Sequence, residues 1–280
     1  MGARHYGGRM ARIGLVFPPD QPPEHLLPVA RAVDASTLDE LWVWEDCFAH
    51  TGLTTASVAL ACTDRVRVGI GLMPVPLRNV ALLAMEVATL ARLFPGRVLP
   101  TVGHGVQDWM RQAGAKPASP LTLLREQATV LRVLLAGEEV SFDGDYVSLD
   151  RVRLRWPPEE PLPLYVGGEG PRTLALAGEV GDGVLFTGGT EDDVLTDGMR
   201  IARDARVAAG VGGDLECLTF MAVRHGMSAE DVTARTRRLV DAGADRVAAY
   251  VLEADGPPAG DLETLLGAVE TLEEVRAAVG

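Results

Sequence analysis

The chain has 280 residues, 47% of them hydrophobic, and a formal net charge of −13 at pH 7. This length can bury a large core, but the acidic charge argues against nucleic acid or an anionic membrane as partner, since both bind basic surfaces. No stretch approaches the ~18 apolar residues of a membrane helix. The three cysteines offer no disulfide framework, and the five histidines show no metal-ligand spacing. These properties predict a soluble cytoplasmic enzyme with a small-molecule substrate and no metal.

Short β-branched or aromatic runs alternate along the chain with stretches of helical apolar spacing. The runs predict strands at residues 12–17, 40–45, 66–71, 98–103, 162–167, 183–188, 215–223 and 245–251. Helical spacing is clearest over residues 80–93, 121–135 and 232–242. Strands joined by helices pair in parallel, and eight such strands close into a barrel. The pattern predicts an α/β fold, a (β/α)8 TIM barrel, and we expect one domain over residues 1–280.

One segment interrupts this alternation between the fourth helix and the fifth strand. Residues 138–160 read EEVSFDGDYVSLDRVRLRWPPEE, with Asp143-Gly144 between two alternating runs. An Asp-Gly pair in that setting is typical of a β-hairpin, and the prolines that follow favour an irregular return. We therefore predict a hairpin excursion from the barrel.

The fourth predicted strand ends in Gly103-His104-Gly105, and a tryptophan follows closely. Glycines let a backbone approach a ligand, and α/β folds place ligands at the carboxyl ends of their strands. An imidazole with a pKa of about 6.5 can give or take a proton near neutral pH. The motif alone favours a catalytic His104 and a solvated His104 in a tight turn about equally.

The fifth predicted strand runs into Gly167-Gly168-Glu169-Gly170-Pro171, and Pro171 suits the first turn of a helix. Backbone amides of a glycine-rich loop and a helix N-terminus together form an anion site, most often for phosphate. The spacing matches neither of the two standard nucleotide-binding motifs. A purely structural turn remains an alternative, but the position at a barrel strand's carboxyl end favours a cofactor phosphate.

Several pieces of the sequence together resemble the bacterial luciferase-like family of flavin- and deazaflavin-dependent oxidoreductases. They are WVWED (42–46), RVRVGIGLMPVPLRN (65–79), MEVATLARLFPGR (85–97), GHGVQDW (103–109) and YVGGEGPRTLALAGEVGDGVL (165–185). They follow the family's order and cover most of residues 12–189, whereas the chain from residue 191 matches only in its strand-helix rhythm. The resemblance implies a barrel whose mouth holds a flavin-like ring.

The resemblance also implies a place for single residues around that ring. Asp46 would lie near the polar edge of the ring, and Gly103 and His104 would flank it. The remaining cofactor-binding positions are Gly71, Leu72 and Met73 beneath the ring, where a strained or cis peptide is common in the family; Gly167, Gly168, Gly170 and Pro171 at the phosphate; and Thr187 near substrate or phosphate.

The end of the second predicted strand departs from the family's pattern. Many deazaflavin-using relatives carry Asp-His there, and this chain has Asp46-Cys47. We therefore expect His104 to be the main proton-exchanging residue, with Asp46 the second catalytic candidate. Cys47 is either a reactive thiol or, as is more common, a small buried side chain. Because neighbours on a strand face opposite ways, Glu45 and Asp46 are not both expected to point into the mouth.

These features predict an oxidoreductase that moves a hydride between the deazaflavin coenzyme F420 and a small organic substrate, with the cofactor supplying the chemistry. F420 is preferred because WEDCF (44–48) and GHGVQDWM (103–110) resemble a subgroup that uses it. An FMN-dependent monooxygenase and a non-catalytic deazaflavin-binding protein remain as alternatives. Relatives are often dimers, and the apolar helices predicted at 51–63 and 80–93 favour a homodimer.

Overall fold

A closed barrel of eight parallel strands forms the centre of the molecule. The computed structural model describes residues 10–188, 191–253 and 261–279. The barrel strands are β1 Arg12–Phe17, β2 Glu40–Val43, β3 Arg67–Pro74, β4 Val98–Gly103, β7 Tyr165–Gly167, β8 Gly183–Phe186, β9 Glu216–Arg224 and β10 Arg246–Leu252. They follow one another around the barrel in that order, and β10 pairs with β1. The predicted TIM barrel is confirmed.

Helices connect these strands and cover the outside of the barrel. They are α1 Leu26–Ala35, α2 Gly52–Ala61, α3 Val80–Leu93, α4 Gln107–Gln112, α5 Pro120–Leu135, α6 Pro171–Val180, α7 Asp192–Ala208, α8 Ala229–Asp241 and α9 Leu262–Val279. Side-chain caps begin four of the described helices, because oxygens of Asn79, Ser119, Ser228 and Asp261 accept from backbone amides in the first turns of α3, α5, α8 and α9. None of the described helices is both long and apolar enough to span a membrane.

The predicted hairpin is present as β5 Val140–Asp143 and β6 Ser148–Val152, which pair antiparallel outside the barrel. Several strand ends differ from prediction by one to three residues, and those of β7 and β2 have a physical reason or consequence. β7 begins at Tyr165, because Pro163 just before it has no amide to donate. β2 ends at Val43, so Glu45 and Asp46 follow the strand, and the expectation that they occupy its opposite faces was wrong. That residues 1–280 form one domain stays a prediction.

Alternate side chains of the strands build two separate apolar layers. Outward-facing residues such as Cys217 and Met221 of β9 pack against the helices. Inward-facing residues fill the barrel, among them Trp42, Leu218 and Phe220. Trp42 is fully buried, so it is barrel core.

A buried ion-pair network closes the amino-terminal end of the barrel. Arg246 pairs with Glu40 and, at 3.1 Å, with Glu216. The Tyr165 hydroxyl donates to Glu216 at 2.5 Å, and Trp42 Nε1 donates to Glu40 at 2.8 Å. Burial and the neighbouring carboxylates raise the pKa of Tyr165 well above its usual range. This network fills the barrel interior at its amino-terminal end, with a polar cavity of about 470 Å³ outside it, whereas TIM barrels place their active sites at the opposite end.

Candidate functional site

A cavity of about 420 Å³ opens at the carboxyl end of the barrel. Residues at and beyond the ends of six strands form its wall: Trp44, Glu45, Asp46, Gly71, Leu72, Pro74, His104, Gly105, Val106, Trp109, Gly167, Gly168, Glu169, Gly170, Thr187 and Phe220. Most of the predicted site residues are in this wall. Three lie outside it: Met73 is buried in the outer apolar layer, Gly103 is buried next to Leu72, and Pro171 is exposed at the first position of α6.

The floor of the cavity is apolar and is made by the end of β3. The Leu72 side chain lies so close to Gly103 and Gly167 that a Cβ atom at either glycine would be 2.5 Å from Leu72 Cδ2. A Cβ at Gly71 would meet Phe220 at 2.7 Å. The peptide between Gly71 and Leu72 is cis. The three glycines therefore leave the space that the Leu72 and Phe220 side chains occupy. The apolar surface that results could support a flat ring.

The glycine-rich loop after β7 forms one wall of the cavity. In the part of the chain that the structure describes, no acceptor pairs with the amides of Glu169, Gly170 and Arg172. These three groups lie at the N-terminus of the ten-residue helix α6, where partial positive charge collects. Free amides at such a position suit a phosphate or another anion.

Two glycines of this loop differ in what surrounds them. A Cβ at Gly168 would lie 2.4 Å from Thr173 Cγ2, so packing within the protein requires glycine there. A Cβ at Gly170 would have no heavy atom within 4 Å, and its backbone is in the ordinary extended region. A ligand close to the loop would account for glycine at position 170.

His104 follows β4 and contributes to the cavity wall. Its Nδ1 lies 3.0 Å from the carbonyl oxygen of Gly105. Because a carbonyl only accepts, Nδ1 carries the proton, and Nε2 is then an acceptor in the neutral ring and a donor in the charged one. The Gln107 side chain donates to the carbonyl of His104 at 3.0 Å and holds this turn. The arrangement leaves His104 able to exchange a proton through Nε2.

Asp46 lies across the mouth in a partly buried, acidic setting. Trp44 Nε1 donates to Asp46 Oδ2 at 2.8 Å. Burial raises the pKa of Asp46; the hydrogen bond from Trp44 offsets part of this, and the negative charge of Asp20 adds to the rise. The protonated form of Asp46 therefore persists to higher pH than that of an ordinary aspartate.

Asp20 and His50 lie near Asp46, and neither was predicted from the sequence as a site residue. The His50 ring stacks on Phe17 at 5.6 Å, its Nδ1 lies 3.1 Å from the Thr55 hydroxyl, and burial lowers its pKa. Burial also raises the pKa of Asp20, partly offset by a backbone hydrogen bond and by His50. The signal for Asp20 was its place just beyond β1, since charged residues beyond barrel strands face the mouth.

Cys47 is half-buried between these groups. Burial raises the pKa of its thiol, and the carboxylates of Glu45 and Asp46 raise it further. A thiol held in its protonated form is a poor nucleophile. This setting favours the inert role for Cys47.

A larger cavity, of about 640 Å³, lies between the ends of β9 and β10 and helix α9. Its lining includes Val223, Val251 and Leu272, which belong to the outer apolar layer. None of the predicted site residues lines it. The barrel mouth is therefore the candidate site.

Comparison with known proteins settles the family. The sequence model of the luciferase-like monooxygenase family matches residues 4–276. The chain belongs to this family, and the resemblance read from its motifs is confirmed.

Two curated relatives and one solved structure show what the chain is similar to. It is 29% identical to a 5,10-methylenetetrahydromethanopterin reductase from Methanolobus tindarius, over 70% of this chain and 60% of that protein. It is 30% identical to an F420-dependent glucose-6-phosphate dehydrogenase from Tsukamurella paurometabola, over 71% of this chain and 63% of that protein. The matched part thus spans less than two thirds of either relative.

The solved structure is an F420-dependent secondary alcohol dehydrogenase in complex with an F420-acetone adduct. It superposes with a TM-score of 0.83 at 20% identity, covering 97% of this chain and 99% of that one. At this identity, the similarity supports the barrel fold.

Proposed function

We propose that the chain is an F420-dependent oxidoreductase that transfers a hydride between the deazaflavin and a small organic substrate. The observation that carries the proposal is the presence, in one cavity, of the apolar floor at Leu72 and the free amides beyond Gly168. The apolar floor suits the flat ring of the cofactor, and the free amides suit the phosphate of the cofactor. The glucose-6-phosphate dehydrogenase relative and the alcohol dehydrogenase structure are both named for F420, which favours it over FMN and over a non-catalytic role.

The residues present fit such a cofactor. The amides of Glu169, Gly170 and Arg172 would bind its phosphate, and Leu72 would support its ring from below. When bound, the deazaflavin supplies a two-electron hydride acceptor or donor. The protein binds and orients both reactants, and Trp109 in the wall reduces the access of water.

Oxidation of an alcohol releases a proton as well as a hydride, and reduction of a carbonyl consumes one. We assign this proton to Nε2 of His104, whose other ring nitrogen is held by Gly105. Asp46, with its raised pKa, is the second group that can hold a proton at the mouth. A positioned group of this kind contributes about 10²–10⁴-fold to the rate.

Turnover tests the proposal. Purified protein is mixed with oxidised F420 and a panel of alcohols, and with reduced F420 and the matching carbonyl compounds, while the absorbance of the deazaflavin is followed. We expect a change that needs protein, F420 and substrate together. Turnover only with FMN and oxygen would contradict the proposal, as would binding of F420 without any turnover.

We also propose that the chain forms a homodimer through α2 and α3. The outer face of α3 exposes Leu82, Met85 and Leu93 to 47%, 56% and 65%, at spacings that share one side of the helix. Val58 of α2 is also exposed, to 41%. Light scattering of Met85→Glu should show a monomer, whereas Val207→Glu, at an exposed position on α7, should leave a dimer. A monomeric wild-type protein at micromolar concentration would refute this proposal.

A further inference from the structure

The charges at the mouth bear on which substrate can enter. The Glu169 carboxylate lines the cavity, and its Oε1 accepts from the Thr187 hydroxyl at 3.0 Å. Asp46 lines it on another side, and Asp20 lies close enough to raise the pKa of Asp46. The carboxylates of Asp46 and Glu169 therefore line the opening from the regions beyond β2 and β7, and the exposed Asp20 adds negative charge near Asp46.

Positive side chains do not balance these carboxylates. Among the described residues that line the cavity there is no arginine or lysine. Arg78, behind the wall, is held by both oxygens of Glu45. Arg235, on α8 near Tyr250, donates to the carbonyl of Ala222 at 2.9 Å. The lysine of the sequence, Lys116, borders a different cavity, beside the start of α3.

The rest of the wall is aromatic and apolar. The Trp44 ring lies 5.7 Å from Phe220 and 5.6 Å from Tyr250, measured between ring centres. Trp109 completes this surface. Such a wall suits the carbon skeleton of a substrate. A phosphate or carboxylate against this aromatic part would lose its hydration without gaining an arginine or lysine, and the free amides at α6 are assigned to the cofactor.

We infer that the organic substrate is uncharged and that anionic substrates are excluded. The inference rests on the proposed F420-dependent function and adds the charge class of the substrate. A bound cofactor phosphate would add to the repulsion of an anion. The site would thus differ in substrate charge from that of the relative named glucose-6-phosphate dehydrogenase.

Paired substrates that differ in one charged group test the inference. The holoenzyme with F420 is assayed with 2-propanol against lactate, with glucose against glucose 6-phosphate, and in reverse with acetone against pyruvate. We expect kcat/KM to favour the uncharged member of a reacting pair by about tenfold or more, since an unbalanced like-charge contact costs several kcal/mol. The ratio should fall with added salt, because salt screens exposed charges.

Equal or greater kcat/KM for the anionic member would overturn the inference and leave the proposed function standing. Turnover with no member of any pair would contradict the proposed function and this inference together. The two failures are therefore distinguishable.

Charge-neutralising variants test the electrostatic cause. The double variant Asp20→Asn and Glu169→Gln removes one carboxylate that lines the mouth and one that lies near Asp46, and the amide oxygen that replaces the Glu169 carboxylate can still accept from Thr187. We expect this double variant to lower the kcat/KM ratio of the uncharged to the anionic member of each reacting pair. The control Asp241→Asn with Glu270→Gln makes the same net charge change at exposed helix positions and should leave the ratio unchanged. An unchanged ratio in the mouth variant would overturn the inference.

Discussion

Arg78 and Glu45 form a buried, two-pronged ion pair. Arg78 Nη1 donates to Oε1 at 2.6 Å and Nη2 to Oε2 at 2.8 Å, and the two side chains are 12% and 5% exposed. Glu45 also accepts from the amide of Gly52, the first residue of α2, at 2.8 Å. The pair therefore links the loop after β2 to the turn after β3. The loop after β2 carries Asp46 and His50.

Removing one partner of this pair should destabilise the protein strongly. Arg78→Met leaves the Glu45 carboxylate buried without its cation, and we expect the free energy of unfolding to fall by about 3–5 kcal/mol. Urea denaturation measures it. Arg12→Met is the matched control, because Arg12 is 53% exposed in its pair with Asp39 and such pairs contribute only about 0–1 kcal/mol. Equal losses in the two variants would contradict this account of the pair.

Substitutions at Gly168 and Gly170 should separate folding from ligand binding. Gly168→Ala forces a contact with Thr173 and should lower the melting temperature. Gly170→Val meets open space, so we expect the melting temperature to change little, and F420 affinity to fall because hydrogen bonds to a charged group are worth about 1.5–3 kcal/mol each. Thermal denaturation and fluorescence titration measure the two effects. Unchanged affinity in a folded Gly170→Val would show that the loop is only structural.

The acidic setting of Asp46 predicts a shift in the pH profile. Asp20 raises the pKa of Asp46, so Asp20→Asn should lower it. The change in kcat/KM with pH that reflects ionisation of Asp46 should then occur at lower pH. This holds whether the ionised or the protonated form of Asp46 is the active one. The exposed Asp241→Asn should not shift this change. A shift to higher pH, or the same shift in both variants, would contradict the assignment of the change to Asp46.

Two variants of His104 should distinguish proton transfer from simple ligand binding. His104→Ala and His104→Gln both remove the imidazole ring, and glutamine can still form hydrogen bonds. If His104 exchanges the proton, kcat at saturating F420 should fall by about 10²–10⁴-fold in both variants. Near-normal kcat in His104→Gln, with only the F420 affinity changed, would make His104 a binding residue and leave Asp46 as the proton carrier.

The sequence predicted the barrel because its signals are local. The strand runs and helical spacing follow from which faces of each element are buried, and Asp143-Gly144 specifies a turn by itself. The glycine motifs predicted the position of the mouth for the same reason: a strand that ends in Gly103 or Gly167 is visible in a few residues.

The parts that the sequence did not predict depend on distant contacts. β2 ends at Val43, and Glu45 beyond it binds Arg78, which is 33 residues further along the chain. The effect of Asp20 on Asp46 likewise joins two loops that only the closed barrel brings together. No local pattern marks either relationship.

Titration of the protein with F420 and, separately, with FMN tests the central claim most directly. Fluorescence quenching gives both dissociation constants, and Gly170→Val serves as the site-specific control. The account predicts saturable binding of F420 that is at least about tenfold tighter than that of FMN, or about 1.4 kcal/mol, and that weakens in Gly170→Val. Binding of FMN as tight as or tighter than that of F420, or no saturable binding of F420, would contradict it.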